Sequence, residues 1–142
     1  MKIFVLNPPF VKDFCRSARW AARSRGRVQR HPDALLTLVA HLQQNDHEVG
    51  FLDGPVSKLD RQGIKELIKR FSPQIFIFHT TTPSIYNDLE YARDIKCIFP
   101  ECLTVALGAH VTALSEETFG LSASRYENSL DAIAVGEFEF SL

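Results

Sequence analysis

Six consecutive residues, His79-Thr80-Thr81-Thr82-Pro83-Ser84, bring one imidazole and four hydroxyls together directly after the apolar run Ile75-Phe76-Ile77-Phe78. Hydroxyls at this spacing serve two kinds of chemistry. They cap the first turn of a helix, or they donate to amide and phosphate oxygens of a bound ligand beside unpaired backbone N–H groups. Pro83 suits the first helical position, with Thr82 as its cap. On the local sequence alone capping is the ordinary reading, and His79 reads as a hydrogen-bonded core or supporting histidine rather than a metal ligand. Four further groups share the pattern of a polar or glycine-rich end behind an apolar run: Asn7, Asp53-Gly54, Gly108-Ala109-His110-Val111-Thr112 and Gly136-Glu137.

The elements that must position these groups follow from periodicity. Residues 75–78 form an unbroken apolar run between Pro73 and Pro83, which suits a strand buried on both faces. Similar runs lie at 2–6, 47–52, 103–107 and 132–135. Between them, Leu35, Leu38, Val39 and Leu42 mark a helix opened by Pro32-Asp33. Leu59, Ile64, Leu67, Ile68 and Phe71 mark a second, with Ser57 and Asp60 as reciprocal caps. Ile85, Leu89, Ala92 and Ile95 mark a third that stops before Pro100, and a short helix is expected over 115–119. Strands alternating with helices predict an α/β fold: a three-layer, flavodoxin-like (Rossmann-like) five-stranded parallel sheet of order 2-1-3-4-5, its switch point between strands one and three. In that topology every polar strand end falls on one edge, where ligands of open parallel sheets bind.

The 142 residues, 45% of them hydrophobic, suffice for one domain spanning 1–142 with a real core. A formal net charge of -1 gives no general argument for nucleic acid or an anionic membrane. No apolar run reaches the length of a membrane span, and the amino terminus is too short for a signal peptide, so a cytoplasmic protein is expected. Cys15, Cys97 and Cys102 are odd in number and without metal-knuckle spacing, hence free thiols.

The segment 10–31 breaks the pattern. It holds Lys12, Arg16, Arg19, Arg23, Arg25, Arg27 and Arg30 against a single acid, Asp13, and is far longer than an ordinary strand-to-helix connection. Phe10, Phe14, Ala18 and Ala21 fall at helical spacing, which predicts a short helix with a basic outer face. A solvated surface is the simplest reading of the charge, and an acidic substrate or a following domain is another. The aromatics, Trp20 included, are not spaced as a base-stacking platform.

Residue types exclude several ligands of this fold. A phosphoacceptor receiver needs carboxylates after strand one and an aspartate after strand three, where Asn7 and His79 stand. A dinucleotide fold needs Gly-x-Gly-x-x-Gly where Pro8-Pro9 stand, and an FMN phosphate loop is missing from the same place.

Leu6-Asn7-Pro8-Pro9, Asn45-Asp46-His47-Glu48-Val49, Leu52-Asp53-Gly54-Pro55, Thr80-Thr81-Thr82-Pro83-Ser84, Leu107-Gly108-Ala109-His110-Val111-Thr112 and Val135-Gly136-Glu137-Phe138-Glu139, in this order, resemble the N-terminal B12-binding domain of cobalamin-dependent radical SAM proteins. The resemblance implies base-off cobalamin whose nucleotide tail threads beneath the sheet edge. Thr80, Thr81, Thr82 and Ser84 would then be donors, Gly108 and Gly136 would make room, and Asn7, Asp53, Ala109, His110 and Glu137 would border the cofactor. Asp53 and His110 are matched to its amides, while Glu137 and Glu139 stand where the next domain would meet it. The basic segment would be a lid over the corrin propionamides. Methyl transfer or related radical chemistry is implied for a longer enzyme, whose [4Fe–4S] cluster and S-adenosylmethionine belong to a downstream barrel in cis. The barrel's Cys-x-x-x-Cys-x-x-Cys motif is not in this sequence, so the chain reads as the first domain alone, not catalytic by itself.

Two departures from the family stand out. Gly108-Ala109-His110 replaces Gly-Gly-x-His, with a methyl that would crowd a close backbone approach. Asp46-His47 echoes a cobalt-ligating motif but leads into strand two at the wrong edge, so His47 reads as a turn residue and no cobalt ligand is implied. The competing reading is a flavodoxin-like domain whose cofactor site has become a regulatory or protein-interaction surface.

Overall fold

The structure is a computed structural model that describes residues 1–16, 21–23 and 29–137. Five parallel strands, β1 (Lys2–Asn7), β2 (Glu48–Asp53), β3 (Ile75–Thr80), β4 (Leu103–Gly108) and β5 (Ala132–Ala134), form one sheet in the order β2-β1-β3-β4-β5. This is the 2-1-3-4-5 arrangement expected from the sequence. The register sets Asn7 beside Asp53 and Thr80 beside Gly108, so the polar strand ends are level along one edge.

Among the described residues five helices connect the strands: α1 (Asp33–Gln44), α2 (Arg61–Phe71), α3 (Ile85–Ile98), α4 (Ala109–Ala113) and α5 (Ser115–Arg125). The apolar strands divide their side chains between two cores, as alternation requires. Phe4, Leu6, Phe76, Phe78 and Ala106 face Ile64 and Ile68 of α2 and Ile85, Leu89, Ala92 and Ile95 of α3. Ile3, Val5, Ile77, Val105, Leu107 and Ala134 face the opposite way, where Leu35, Leu38, Val39 and Leu42 of α1 meet them. Each fully buried Leu, Ile or Phe of these stripes contributes about 1.5–3 kcal/mol. Arg61 ties α2 to α3 through Asp94, at 2.8 Å, and Glu90.

Several local expectations are corrected. Residues 10–16 hold no helix: Asp13 adopts a positive φ of 61°, which breaks helical propagation, and Phe14–Cys15 pairs antiparallel with Ala22–Arg23 as a small ribbon. Phe10 and Phe14 still meet edge to face at 5.1 Å. Ala18, Arg19, Trp20, Arg25, Arg27, Phe138 and Glu139 lie outside the described residues. Asp60 caps α2 by accepting from the Gly63 N–H at 2.8 Å, whereas Ser57 is spent on its own turn, donating to the Gly54 carbonyl. Leu59 precedes the helix and is exposed. A single 3-10 turn, Thr82–Ser84, intervenes before α3, so the cap position falls to Thr81 rather than Thr82. The 109–113 turn is a short helix, and the helix expected over 115–119 continues to Arg125. Val135 lies beyond β5 and is exposed.

Candidate functional site

The hydroxyl run at the end of β3 is turned inward. Thr80 Oγ1 donates to the Leu107 carbonyl at 2.7 Å, tying β3 to β4. Thr81 Oγ1 and Ser84 Oγ are 2.6 Å apart, and Ser84 Oγ donates to Asp88 Oδ2 at 2.7 Å. Asp88 sits in the first turn of α3, fully buried, and its partner is Arg16 from the basic segment. Arg16 Nη1 and Nη2 donate to the two Asp88 oxygens at 2.9 and 2.6 Å, and both side chains are 0% exposed. Arg16 also donates to the Pro8 carbonyl at 2.7 Å, Ser84 Oγ at 2.7 Å and the His79 carbonyl at 3.3 Å. Burial pushes the Asp88 carboxyl up, while Arg16, Ser84 and Asn87 pull it back. A solvated basic surface is therefore the wrong description of Arg16. Isolated burial of a guanidinium is prohibitive, and the bidentate carboxylate together with three further acceptors offsets it.

Against this network lies a cavity of about 620 Å³, at the carboxyl ends of the strands and on the α1 side. Gly108, Ala109, Thr112 and Gly136 line it from β4, α4 and the end of β5; Arg16, His31 and His79 line it with residues 32–35 at the amino end of α1. Among the described residues no side chain caps that amino end, and first-turn N–H groups have no intrahelical partner. Gly108 is dictated by contact: at φ 114° a Cβ would stand 2.4 Å from the Thr80 carbonyl oxygen. Gly136, at φ 83°, faces open space. Thr112 links the two, its Oγ1 donating to the Gly108 carbonyl at 2.9 Å and accepting from the Gly136 N–H at 3.2 Å. The Ala109 methyl is exposed and borders the cavity, so it narrows the space without forcing backbone apart.

The remaining residues of the expected site do not line this cavity. Asn7 is buried at the end of β1 and donates through Nδ2 to Asp53 Oδ1 at 2.7 Å, while its own Oδ1 has no partner among the described residues. Burial raises Asp53, against the Asn7 bond and the charges of His31 and Arg16. His110 is buried in α4, its Nδ1 3.3 Å from Oγ1 of the exposed Thr82. Burial lowers its pKa, opposed by Glu117 and Asp88. Glu137 is exposed beside Gly136. Of the expected residues, then, Gly108, Ala109 and Gly136 line the cavity itself; Thr80, Thr81 and Ser84 form its foundation; Asn7 with Asp53, and Thr82 with His110, are separate pairs. Sequence reasoning passed over His31 and the amino end of α1, and it named Thr112 only within the 108–112 group and Arg16 only within the basic segment. Among the described residues no three His, Cys, Asp or Glu side chains gather as a metal site.

His79 gives the site a pH signature. Burial, with the Arg16 charge added, pushes its imidazole down to about 3, so the folded protein holds it neutral. The unfolded chain takes up the proton near the ordinary value of about 6.5. Stability is therefore full above that value and is lost as pH falls from about 6.5 toward 3, by up to a few kcal/mol. Denaturant midpoints measured at pH 7, 6 and 5 should fall in the wild type and fall less in His79→Asn. Equal slopes would contradict this. Asp53, whose carboxyl is raised, has the opposite sign and partly masks the effect below pH 5.

No family model matches the chain. It is 30% identical over 110 residues to an uncharacterized methyltransferase of Pyrococcus horikoshii; the match takes in 78% of the chain but only 23% of that protein. The chain thus spans about a quarter of the length of the curated relative it matches. Among solved structures it resembles a CheY-like protein, tadZ, of Pseudomonas aeruginosa PAO1, with a TM-score of 0.58, 10% identity, and coverage of 95% of this chain and 81% of that one. That likeness establishes the flavodoxin/CheY-like α/β fold. Among the described residues no helix is long and apolar enough to cross a membrane.

Proposed function

We propose that this chain is a cobalamin-binding module of a radical SAM enzyme of the methyltransferase type, holding base-off cobalamin by its nucleotide tail. The observation that carries the reading is the cavity at the carboxyl edge, whose volume of about 620 Å³ falls within the ~300–1,000 Å³ usual for small-molecule sites. Its walls fit the group. Gly108 and Ala109 keep one side low, and the amino end of α1 with the exposed His31 suits the phosphate. Outside the cavity lining, the half-buried Asp53 carboxylate, which accepts from Asn7 Nδ2, is an acceptor for side-chain amides of a corrin. Thr80, Thr81 and Ser84 act indirectly, by fixing Arg16 and the β3–β4 floor. Bound cobalamin supplies methyl-carrier chemistry, with S-adenosylmethionine and a [4Fe–4S] cluster contributed by a partner barrel in cis. The similarity to a named methyltransferase supports this class of reaction.

Incubation with hydroxocobalamin followed by gel filtration tests the reading. Corrin absorbance should co-elute with the wild type, and Ala109→Trp, which places an indole in the cavity from an exposed position, should reduce retention at least tenfold with an unchanged melting temperature. Clean apoprotein from the wild type would instead favour a regulatory or protein-interaction domain, a reading supported by the inward turn of the hydroxyls.

A further inference from the structure

We propose that His79 selects the inner end of the ligand: its imidazole donates a hydrogen bond to an uncharged nitrogen heterocycle, the base of the nucleotide tail, and leaves the phosphate to the amino end of α1. The proposal rests on the cavity being a cobalamin site, and it goes beyond that reading by naming which part of the tail lies against the strand ends. Elimination among the described lining residues carries it. Arg16, His31, Asp33, His79 and Thr112 are the ones with hydrogen-bonding side chains; Pro32, Ala34, Leu35, Gly108, Ala109 and Gly136 have none. Arg16 is fully buried, and its nitrogens are held by Asp88, Ser84 and the Pro8 and His79 carbonyls. Thr112 Oγ1 is committed to the Gly108 carbonyl and the Gly136 N–H. His31 and Asp33 are exposed beside the amino end of α1. His79 is therefore the side chain that addresses a ligand from the strand ends.

Its placement follows from the strand. Ile75 and Ile77 pack in the core on the α1 side of the sheet, and alternation puts His79 on that same face, where the cavity lies. Its Nδ1 is closed to solvent, while its Cδ2–Nε2 edge lies over Gly108, where a Cβ would stand 2.7 Å from Cδ2 and 3.0 Å from Nε2. Glycine thus gives the ring its place, and the ring meets the cavity on its Nε2 side. Burial, and then the Arg16 charge, keep the imidazole neutral. A neutral imidazole has a donor at one ring nitrogen and an acceptor at the other, so a contact to the protein at one is compatible with a ligand at the other. Such a ring suits an uncharged partner, whereas a phosphate is better placed at the first-turn N–H groups of α1. The base of base-off cobalamin is an uncharged partner of this kind: one of its ring nitrogens is bonded to ribose, and the other, released from cobalt, accepts from Nε2–H.

A histidine that served the core alone would not sense the nucleotide, and that difference decides the test. The full chain, labelled with nitrogen-15, is titrated with hydroxocobalamin and, separately, with cobinamide, and the imidazole nitrogens are followed by NMR. The His79 signals should report the Nε2–H tautomer. Hydroxocobalamin should shift them to saturation at one equivalent, while the same concentrations of cobinamide leave them in place. In parallel, His79→Phe, which keeps the bulk of the ring without its nitrogens, should bind hydroxocobalamin about tenfold more weakly. His79→Gln, whose amide nitrogen reaches about as far along the side chain as Nε2, should restore most of that loss. Saturable binding of hydroxocobalamin that leaves the His79 signals unmoved overturns the proposal while the cobalamin reading stands, as does full affinity in a folded His79→Phe. Where a variant does not fold, the titration of the wild type decides. No binding of hydroxocobalamin to the wild type overturns both.

Discussion

Replacing Arg16 by Met lowers the free energy of unfolding by about 3–5 kcal/mol, among the largest losses any single side chain in this protein should give. The reason is asymmetry. Asp88 is left buried and charged, or is forced to take up a proton, while Ser84 Oγ and the Pro8 carbonyl lose their donor. A screened surface pair would cost under about 1 kcal/mol, so the magnitude itself separates the two descriptions of the basic segment. Urea unfolding of the wild type, Arg16→Met, Asp88→Leu and the double variant checks it. The double variant should recover most of the loss, since apolar side chains of similar size leave no unpaired charge. Additive losses would mean that the two residues do not act as a pair.

Gly108→Ala is the second large effect, at about 3–5 kcal/mol. Its backbone, at φ 114° and ψ -177°, lies in a region that only glycine occupies readily. The added methyl would also stand 2.7 Å from His79 Cδ2 and 2.4 Å from the Thr80 carbonyl oxygen, a backbone atom that cannot retreat without opening the β3–β4 ladder. Gly136→Ala is the internal control. It shares the positive φ but meets nothing within 4 Å among the described residues, so it should cost only about 1–2 kcal/mol. Thermal melts of the two variants compare them directly, and equal losses would remove the steric argument.

These effects also mark how far the sequence could be read. The sheet and its order were legible because the apolar runs are continuous and the helices between them carry clear stripes: Leu35, Leu38, Val39 and Leu42 behave as their spacing predicts. Gly108 and Gly136 were legible as special positions because glycine at a strand end has few other causes. Arg16 was not. Nothing in the local sequence of the basic segment marks Arg16 as turning inward, and its partner lies 72 positions away. One signal was present: Asp88 sits a helical turn beyond Ser84 and next to the apolar stripe of α3, where a lone acid needs a buried cation. The partners of the hydroxyl run were not legible for a related reason. Composition identifies Thr80, Thr81 and Ser84 as hydrogen-bonding groups, but whether they face a ligand or a guanidinium depends on a long-range contact. In the described part of the helix expected over residues 10–21, residues 10–16, a turn takes its place because Phe10 and Phe14 have an i,i+4 spacing that a turn with Asp13 at positive φ also satisfies.

If the cavity takes the nucleotide tail, affinity must depend on that tail. Isothermal titration of the full chain with hydroxocobalamin and, in parallel, with cobinamide, which keeps the corrin but lacks the nucleotide, measures this dependence. Hydroxocobalamin should bind one to one and at least a hundredfold more tightly, a difference of about 2.7 kcal/mol. Equal affinities, or no binding of either, would contradict the assignment of the cavity.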